Sequence, residues 1–94
     1  MNKTNNKLVS IIIRTKNEER WIVPCLKSIF SQTYKNFEII IVDNCSTDKT
    51  IEKAKQFKIS KILKIKKFFP GKAINMGIKS SRGDYVVTLS AHAI

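Results

Sequence analysis

Residues 37–50 read F-E-I-I-I-V-D-N-C-S-T-D-K-T, a pattern that predicts a buried strand followed by a turn and a helix. It begins with an unbroken apolar run at residues 39–42, which is typical of a strand buried on both faces of a parallel sheet. The run stops at Asp43. Ser46 is predicted to cap the next helix, with Asp48 near its positive end. Asp43 is therefore expected at the carboxyl end of a buried strand, where ligands bind in open α/β sheets.

The composition predicts one small, basic domain of 94 residues. Eighteen basic side chains against seven acidic ones give a formal net charge of +11. Such a charge favours an anionic partner, either nucleic acid, lipid head groups or a phosphorylated ligand. Eight of the lysines fall within residues 53–72, so the charge is locally dense. A lysine-rich, solvated surface without a partner is the other interpretation of the same charge.

The cysteines and the hydropathy pattern indicate the compartment. Cys25 and Cys45 lack the spacing of a metal site, and two such cysteines favour a reduced, cytoplasmic setting. The N-terminus has no signal-peptide pattern, and no stretch approaches the ~20 apolar residues of a membrane helix. We therefore expect a cytoplasmic protein, with peripheral association at the inner membrane face through its charge as an option.

The periodicity predicts the order β-α-β-α-β-α-β without internal repeats. Residues 1–7 are expected to be a disordered start, and residues 8–94 to form the domain. The strands are predicted at 8–13, 37–43, 59–65 and 85–89, with a loop at 66–69. The first helix should begin at Ile22 or Val23, the second should span 47–57, and the third should begin at Pro70.

Three features of the third helix and its neighbours are predicted from residue type. Ile74, Gly77 and Ile78 recur at helical spacing and are expected to face the sheet. Gly83 is expected to stop the helix as a left-handed cap residue. The lysines of residues 59–65 suit an edge strand, because they discourage unwanted pairing.

Right-handed crossovers predict an α/β fold, with a three-layer α/β/α Rossmann-like parallel sheet. If the fourth strand lies on the far side of the first, the strand order is 3-2-1-4. The order reverses between strands 1 and 4. Residues 14–15, Asp43 and residues 90–92 should converge at the crevice there.

Four segments together resemble the N-terminal, nucleotide-sugar-binding half of a family 2 glycosyltransferase with the GT-A fold. Residues 9–19 (V-S-I-I-I-R-T-K-N-E-E) resemble the opening strand and its loop, and residues 32–50 resemble the block of the second strand. Residues 71–78 (G-K-A-I-N-M-G-I) contain an A-x-N-x-G pattern, and residues 82–89 (R-G-D-Y-V-V-T-L) resemble the strand before the metal motif.

The resemblance implies that this chain binds the donor of a transferase that moves a sugar from a nucleoside diphosphate sugar, UDP-linked, to a hydroxyl acceptor. The acceptor would be a saccharide or a lipid-linked sugar in surface polysaccharide synthesis. The donor-binding residues implied are Thr15, Asn17, Glu18, Asp43, Asn44, Lys72, Asn75 and Ser90. Asp43 would hydrogen-bond the uracil or ribose, although a turn or cap role would also explain an aspartate there. Lys72 is also explained as one surface lysine among many.

The metal motif departs from the family pattern. The family places two carboxylates in a D-x-D that binds Mn²⁺ or Mg²⁺ at the end of the fourth strand, whereas this chain has Ser90-Ala91-His92. Hard cations prefer oxygen ligands, so a divalent metal would depend on His92 in a role that carboxylates normally fill. Local lysines could instead offset the charge of the leaving group.

The family also places its catalytic base and acceptor site after the metal motif, so this chain is expected to be a fragment of a larger enzyme or a truncated product. The fourth strand would then be an open edge, and we expect self-association through residues 85–89. Two further interpretations stay open, a non-catalytic basic module that binds nucleotide or nucleic acid, and an inactive remnant. Nucleic acid is disfavoured because no basic strand is interleaved with aromatic residues.

Overall fold

A computed structural model describes residues 7–66 and 70–92 of the chain as one parallel sheet with helices on both faces. Its elements are β1 (Val9–Thr15), α1 (Ile22–Phe30), β2 (Phe37–Asp43), α2 (Thr50–Ala54), β3 (Lys61–Lys64), α3 (Pro70–Ser80) and β4 (Tyr85–Ser90). The strand order is β3-β2-β1-β4, which confirms the predicted topology. Residues 1–6 of the predicted disordered start and 67–69 of the predicted loop lie outside the described residues.

The register of the strands brings their carboxyl ends to one edge of the sheet. β1 pairs with β2 so that Thr15 lies opposite Asp43, and β1 pairs with β4 so that Arg14 lies opposite Ser90. β3 pairs with β2 at the far side and forms the edge, as its lysines predicted. Polar side chains that are far apart in sequence therefore meet where the strands end.

Alternate residues of β1 and β2 supply two separate apolar layers. On one face, residues of both strands pack against α1 and α2, and this cluster contains Ile11, Ile13, Ile22, Cys25, Leu26, Ile29, Ile39, Ile41 and Ala54. On the other face, Ile12, Ile40 and Val42 pack against Ala73 and Met76 of α3. The continuous apolar runs of the two central strands are thus explained by burial on both faces.

The inner face of α3 is shifted from the predicted one. Gly77 is buried as expected, but Ile78 is 43% exposed, and Ala73 takes the fully buried position. A Cβ added to Gly77 would lie 2.5 Å from Cγ2 of Ile12, so the missing side chain lets the helix approach β1 closely. Ala73 and Gly77 are four positions apart and face the sheet, and Ile78 is exposed because each residue advances the helix by about 100°.

The predicted left-handed cap at Gly83 is wrong, because α3 ends at Ser80 and no described glycine has a positive φ. Space is the constraint at Gly83 instead. A Cβ there would lie 2.3 Å from Oγ of Ser10. The Gly83 N–H donates to that oxygen over 2.8 Å, and the Ser10 hydroxyl donates to Oε2 of Glu38 over 2.6 Å. These bonds attach the α3–β4 connection to the amino ends of β1 and β2.

The second helix is shorter than predicted. It begins at Thr50 and ends at Ala54, so residues 47–49 belong to the preceding loop. Ser46 does not cap it, since its N–H and hydroxyl both donate to the Asp43 carboxylate. Asp48 accepts the Thr50 N–H over 2.9 Å and thereby supports the helix start. The prediction that Ser46 caps α2 was wrong because the Ser46 hydroxyl is hydrogen-bonded to Asp43 instead.

None of the three helices in the described ranges has the length and apolar character needed to cross a bilayer.

Candidate functional site

A polar crevice lies at the carboxyl ends of β1 and β4, where the strand order reverses. Its cavity has a volume of about 350 Å³ and is lined by Arg14, Thr15, Lys16, Glu18, Ser90 and His92. The crossovers from β1 to β2 and from β3 to β4 leave the sheet on opposite faces, so this crevice stays uncovered by helices. Ligands of open α/β sheets bind at such a switch point.

Thr15 lines this crevice and is hydrogen-bonded to Asp43. The Thr15 hydroxyl donates to Oδ1 of Asp43 over 2.6 Å, and the two residues are only 2% and 1% exposed. Asp43 also accepts the Ser46 N–H on Oδ2 over 2.9 Å and the Ser46 hydroxyl on Oδ1 over 2.6 Å. Asp43 is therefore a well-satisfied buried carboxylate that lies behind Thr15 and does not line the cavity.

Asn17 connects the two loops that follow β1 and β2. Its N–H donates to the Ser46 Oγ over 2.8 Å, and its Oδ1 accepts the Thr47 N–H over 2.8 Å. Its φ of 52° is in the left-handed region, which asparagine tolerates better than most residues. Asn17 thus shapes the loop beside the crevice.

Asp48 and Thr50 strengthen the same connection. The Thr50 Oγ1 accepts the Glu18 N–H over 2.7 Å, and Oδ2 of Asp48 accepts the Glu19 N–H over 3.2 Å. Burial by itself raises the pKa of Asp48, but hydrogen bonds from the Thr50 hydroxyl and from the Thr50 and Glu19 N–H groups lower it below its ordinary value. The loop from β1 is consequently held against the start of α2.

Two side-chain pairs cross from β1 and its loop to the end of β4. Nη2 of Arg14 donates to Oγ of Ser90 over 2.9 Å. Nδ1 of His92 lies 3.0 Å from Oε2 of Glu18, and the Glu18 side chain is only 12% exposed. The pairs join residues 76 and 74 positions apart, and all four side chains line the cavity.

The other predicted donor-binding residues lie outside this lining. Asn44 is 4% exposed, and its N–H donates to the Thr15 carbonyl over 2.9 Å. Lys72 and Asn75 lie on exposed positions of α3 and do not line the cavity. The crevice therefore unites Thr15, Glu18, Ser90 and His92 of the predicted set.

Arg14 and Lys16 line the crevice although neither was assigned a binding role from the sequence. The signal was available, since two basic residues flank Thr15 at the end of a buried strand. The position of the Arg14 guanidinium depends on β4, however, because it donates a hydrogen bond to the Ser90 hydroxyl. Because this chain has many other lysines, a basic residue in the sequence was only a weak indication of a binding role.

The donor atoms of the crevice do not fit a hard divalent cation. Within residues 7–66 and 70–92, no three His, Cys, Asp or Glu side chains are grouped closely enough to hold a metal ion. Ser90 accepts a hydrogen bond from Arg14, Ala91 is apolar and buried, and His92 contacts the one carboxylate, Glu18. Mn²⁺ and Mg²⁺ favour several oxygen ligands. Ligation by His92 stays a prediction.

Comparison with known proteins supports the resemblance inferred from the four segments. Residues 10–94 match the family model described as Glycosyl transferase family 2. Over 93 residues the chain is 42% identical to the dolichyl N-acetyl-alpha-D-glucosaminyl phosphate 3-beta-D-2,3-diacetamido-2,3-dideoxy-beta-D-glucuronosyltransferase of Methanococcus voltae, a match that covers 90% of this chain and 29% of the relative.

Two solved structures share the fold. Staphylococcus aureus TarS 1–349 in complex with UDP-GlcNAc matches with a TM-score of 0.81 and 28% identity, over 89% of this chain and 26% of TarS 1–349. The mannosyltransferase PcManGT of Pyrobaculum calidifontis, in complex with GDP-Man and Mn²⁺, matches with a TM-score of 0.77 and 26% identity, over 92% of this chain and 28% of PcManGT. The chain thus spans less than a third of the length of each of these three proteins.

Proposed function

Since the chain belongs to glycosyl transferase family 2, we propose that it forms the donor-binding part of an enzyme that transfers a sugar from a UDP-linked donor to a hydroxyl acceptor. The observation that carries the proposal is the crevice at the switch point of the sheet, where Thr15, Glu18 and Ser90 come together. Support also comes from TarS, a structural neighbour solved with UDP-GlcNAc.

We assign the nucleoside to the Thr15 side of the crevice. Asp43 accepts the hydroxyl hydrogen of Thr15, which leaves the lone pairs of the Thr15 oxygen to accept from the base or the ribose. Asp43 thus contributes to donor binding mainly by orienting Thr15. Asn17 and Asn44 hold the loop and the strand end in place.

Ser90 and the end of β4 are assigned to the ribose and diphosphate side. Lys72 and Asn75 on α3 are more distant candidates, and their contribution would require a ligand that extends beyond the cavity lining. Glu18 supports this side through its contact with His92.

The acceptor is proposed to be a lipid-linked or polymeric saccharide of surface polysaccharide synthesis. The Methanococcus voltae relative acts, by its name, on a dolichyl-linked sugar phosphate. A net charge of +11 supports association with the anionic lipids of the cytoplasmic membrane surface.

Titration calorimetry with UDP, uridine and GDP tests the donor site. We expect UDP to bind, GDP to bind more weakly, and Thr15→Val to weaken both UDP and uridine by about tenfold, the loss of one buried hydrogen bond. Glu52→Gln, a change on the exposed side of α2, serves as the matched control. Absence of UDP binding by the folded chain would overturn the proposal.

The basic-module alternative is tested by salt in the same titration. Exposed lysines at residues 55, 58, 61, 64 and 66 favour it. Binding of a nucleic acid backbone weakens steeply with salt, because counterions are released. We expect a shallow salt dependence for UDP and no oligonucleotide binding that competes with it.

A further inference from the structure

We propose that the diphosphate of the nucleotide sugar is bound in the crevice by the side chains of Arg14 and Lys16, without a bridging divalent metal ion. This inference rests on the proposed function. It concerns how the same crevice neutralises the charge of its ligand.

The side chains at the end of β4 are poor ligands for a hard divalent cation. The family pattern places two carboxylates there, which bind a cation that in turn meets the diphosphate. Here Ser90 presents a neutral hydroxyl, Ala91 is fully buried, and His92 Nδ1 contacts Glu18 over 3.0 Å. The crevice lining therefore contains one carboxylate, and that carboxylate already has a partner.

A permanent cation, the Arg14 guanidinium, already lies at the end of β4. The Arg14 guanidinium reaches the end of β4 and donates to the Ser90 hydroxyl over 2.9 Å. Because Arg14 sits opposite Ser90 in the register of two adjacent strands, the side chain is held at the strand ends. A carboxylate pair would bind a metal at this place, whereas a guanidinium repels one.

The Arg14 guanidinium has N–H donors left for a ligand. A guanidinium has five N–H donors in a planar fork, and the bond to Ser90 uses one of them. Arginine binds phosphate oxygens in a bidentate manner, and lysine binds them as a point charge. Lys16 is exposed in the adjoining loop and lines the same cavity.

The side chains that line the crevice carry a net positive charge. Arg14 and Lys16 carry two positive charges, and Glu18 carries one negative charge that lies against the His92 ring. The remaining field is positive, which favours a diphosphate and disfavours a second cation. One account thus explains the replacement of the two family carboxylates by Ser90 and His92 and the presence of Arg14 and Lys16 on either side of Thr15 at the end of β1.

The test is calorimetric titration of UDP and uridine, each in EDTA and again in Mn²⁺, on the folded chain. We expect the UDP affinity to be the same in EDTA and in Mn²⁺. Arg14→Gln and Lys16→Gln should each weaken UDP binding by about tenfold, the effect of one charge-assisted contact, and leave uridine binding unchanged. Arg20→Gln, in the exposed turn before α1, is the matched control and should change neither.

Uridine binding also shows that each variant is folded. UDP binding that requires Mn²⁺, or that survives both Arg14→Gln and Lys16→Gln, would overturn this inference and leave the donor site standing. Failure of wild-type protein to bind either ligand would overturn the proposed function and this inference together.

Discussion

Thr15 and Asp43 lie opposite each other in the register of β1 and β2, and a 2.6 Å hydrogen bond joins their side chains although 28 positions separate them. Both residues are almost fully buried. The strand pairing therefore places a hydroxyl donor beside a carboxylate that would otherwise be costly to bury.

Removal of this donor should destabilise the fold. Thr15→Val keeps the shape of the side chain and leaves Asp43 with one donor fewer, so we expect a loss of roughly 1.5–3 kcal/mol in the free energy of unfolding. Urea denaturation measures the loss. Thr15→Ser retains the hydroxyl and should be milder, and an equal loss for the two variants would contradict the assigned bond.

The free energy of unfolding should decrease at acidic pH, because Glu38 becomes protonated and loses its favourable interactions. Burial by itself raises the pKa of Glu38, but hydrogen bonds from the Ser10 hydroxyl and the Arg82 N–H, with the charges of Arg82 and Lys61, lower it below its ordinary value of 4.5. A carboxyl with a lower pKa in the folded state stabilises the fold above its unfolded pKa, and this contribution is lost as the pH falls through the folded pKa.

Glu38→Gln should therefore be less stable than wild type at neutral pH, and the difference should shrink as the pH falls below about 4.5. Thermal denaturation across this range measures the difference. Glu52→Gln on the exposed side of α2 is the control. A difference that stayed constant with pH would argue against the ionised network.

Gly77→Ala should destabilise the protein, against the usual trend. Alanine in a helix interior is normally favoured over glycine by about 1 kcal/mol. Here the new Cβ would lie 2.5 Å from Cγ2 of Ile12, and overpacking of this kind costs about 1–3 kcal/mol. Lys79→Ala, at an exposed position of the same helix, should be nearly neutral in urea denaturation. Stabilisation by Gly77→Ala would contradict the close packing of α3 on β1.

The two cysteines should differ in reactivity. Cys25 is fully buried and Cys45 is exposed. Burial raises the pKa of the Cys25 thiol, and the nearby Glu18 charge raises it further, so little reactive thiolate forms. With a chromogenic disulfide reagent we expect one fast thiol in the folded protein and two in urea. Cys45→Ser should remove the fast one, and a fast reaction in that variant would contradict the burial of Cys25.

Self-association through β4 remains a prediction. β4 is the last strand of the order β3-β2-β1-β4, and Tyr85, Val86 and Val87 are 59%, 40% and 43% exposed. We expect sedimentation to show association at micromolar concentrations, and Val86→Lys to suppress it by placing a charge on the edge. Thr33→Lys, in an exposed loop, controls for added charge. A monomer at all concentrations would exclude this edge as an interface.

The strand and helix order followed from local pattern. The apolar runs before Arg14 and Asp43 could only be satisfied by burial on both faces, and crossover handedness then restricted the sheet order. The predictions failed where another residue interacts with the one that carried the prediction. Ser46 donates to Asp43 instead of capping α2, and Gly83 is required for its lack of a side chain near Ser10 rather than for its φ.

Periodicity and motifs of contiguous residues in the sequence are enough to predict the family, the topology and the presence of Thr15 and Asp43 at neighbouring strand ends. The contacts of Arg14 with Ser90 and of Glu18 with His92 could not be predicted in this way and appear only in the folded chain. Such contacts depend on strand register and on loop paths between residues more than 70 positions apart, and no local pattern encodes them. The charge that faces a ligand in the crevice is set by those contacts.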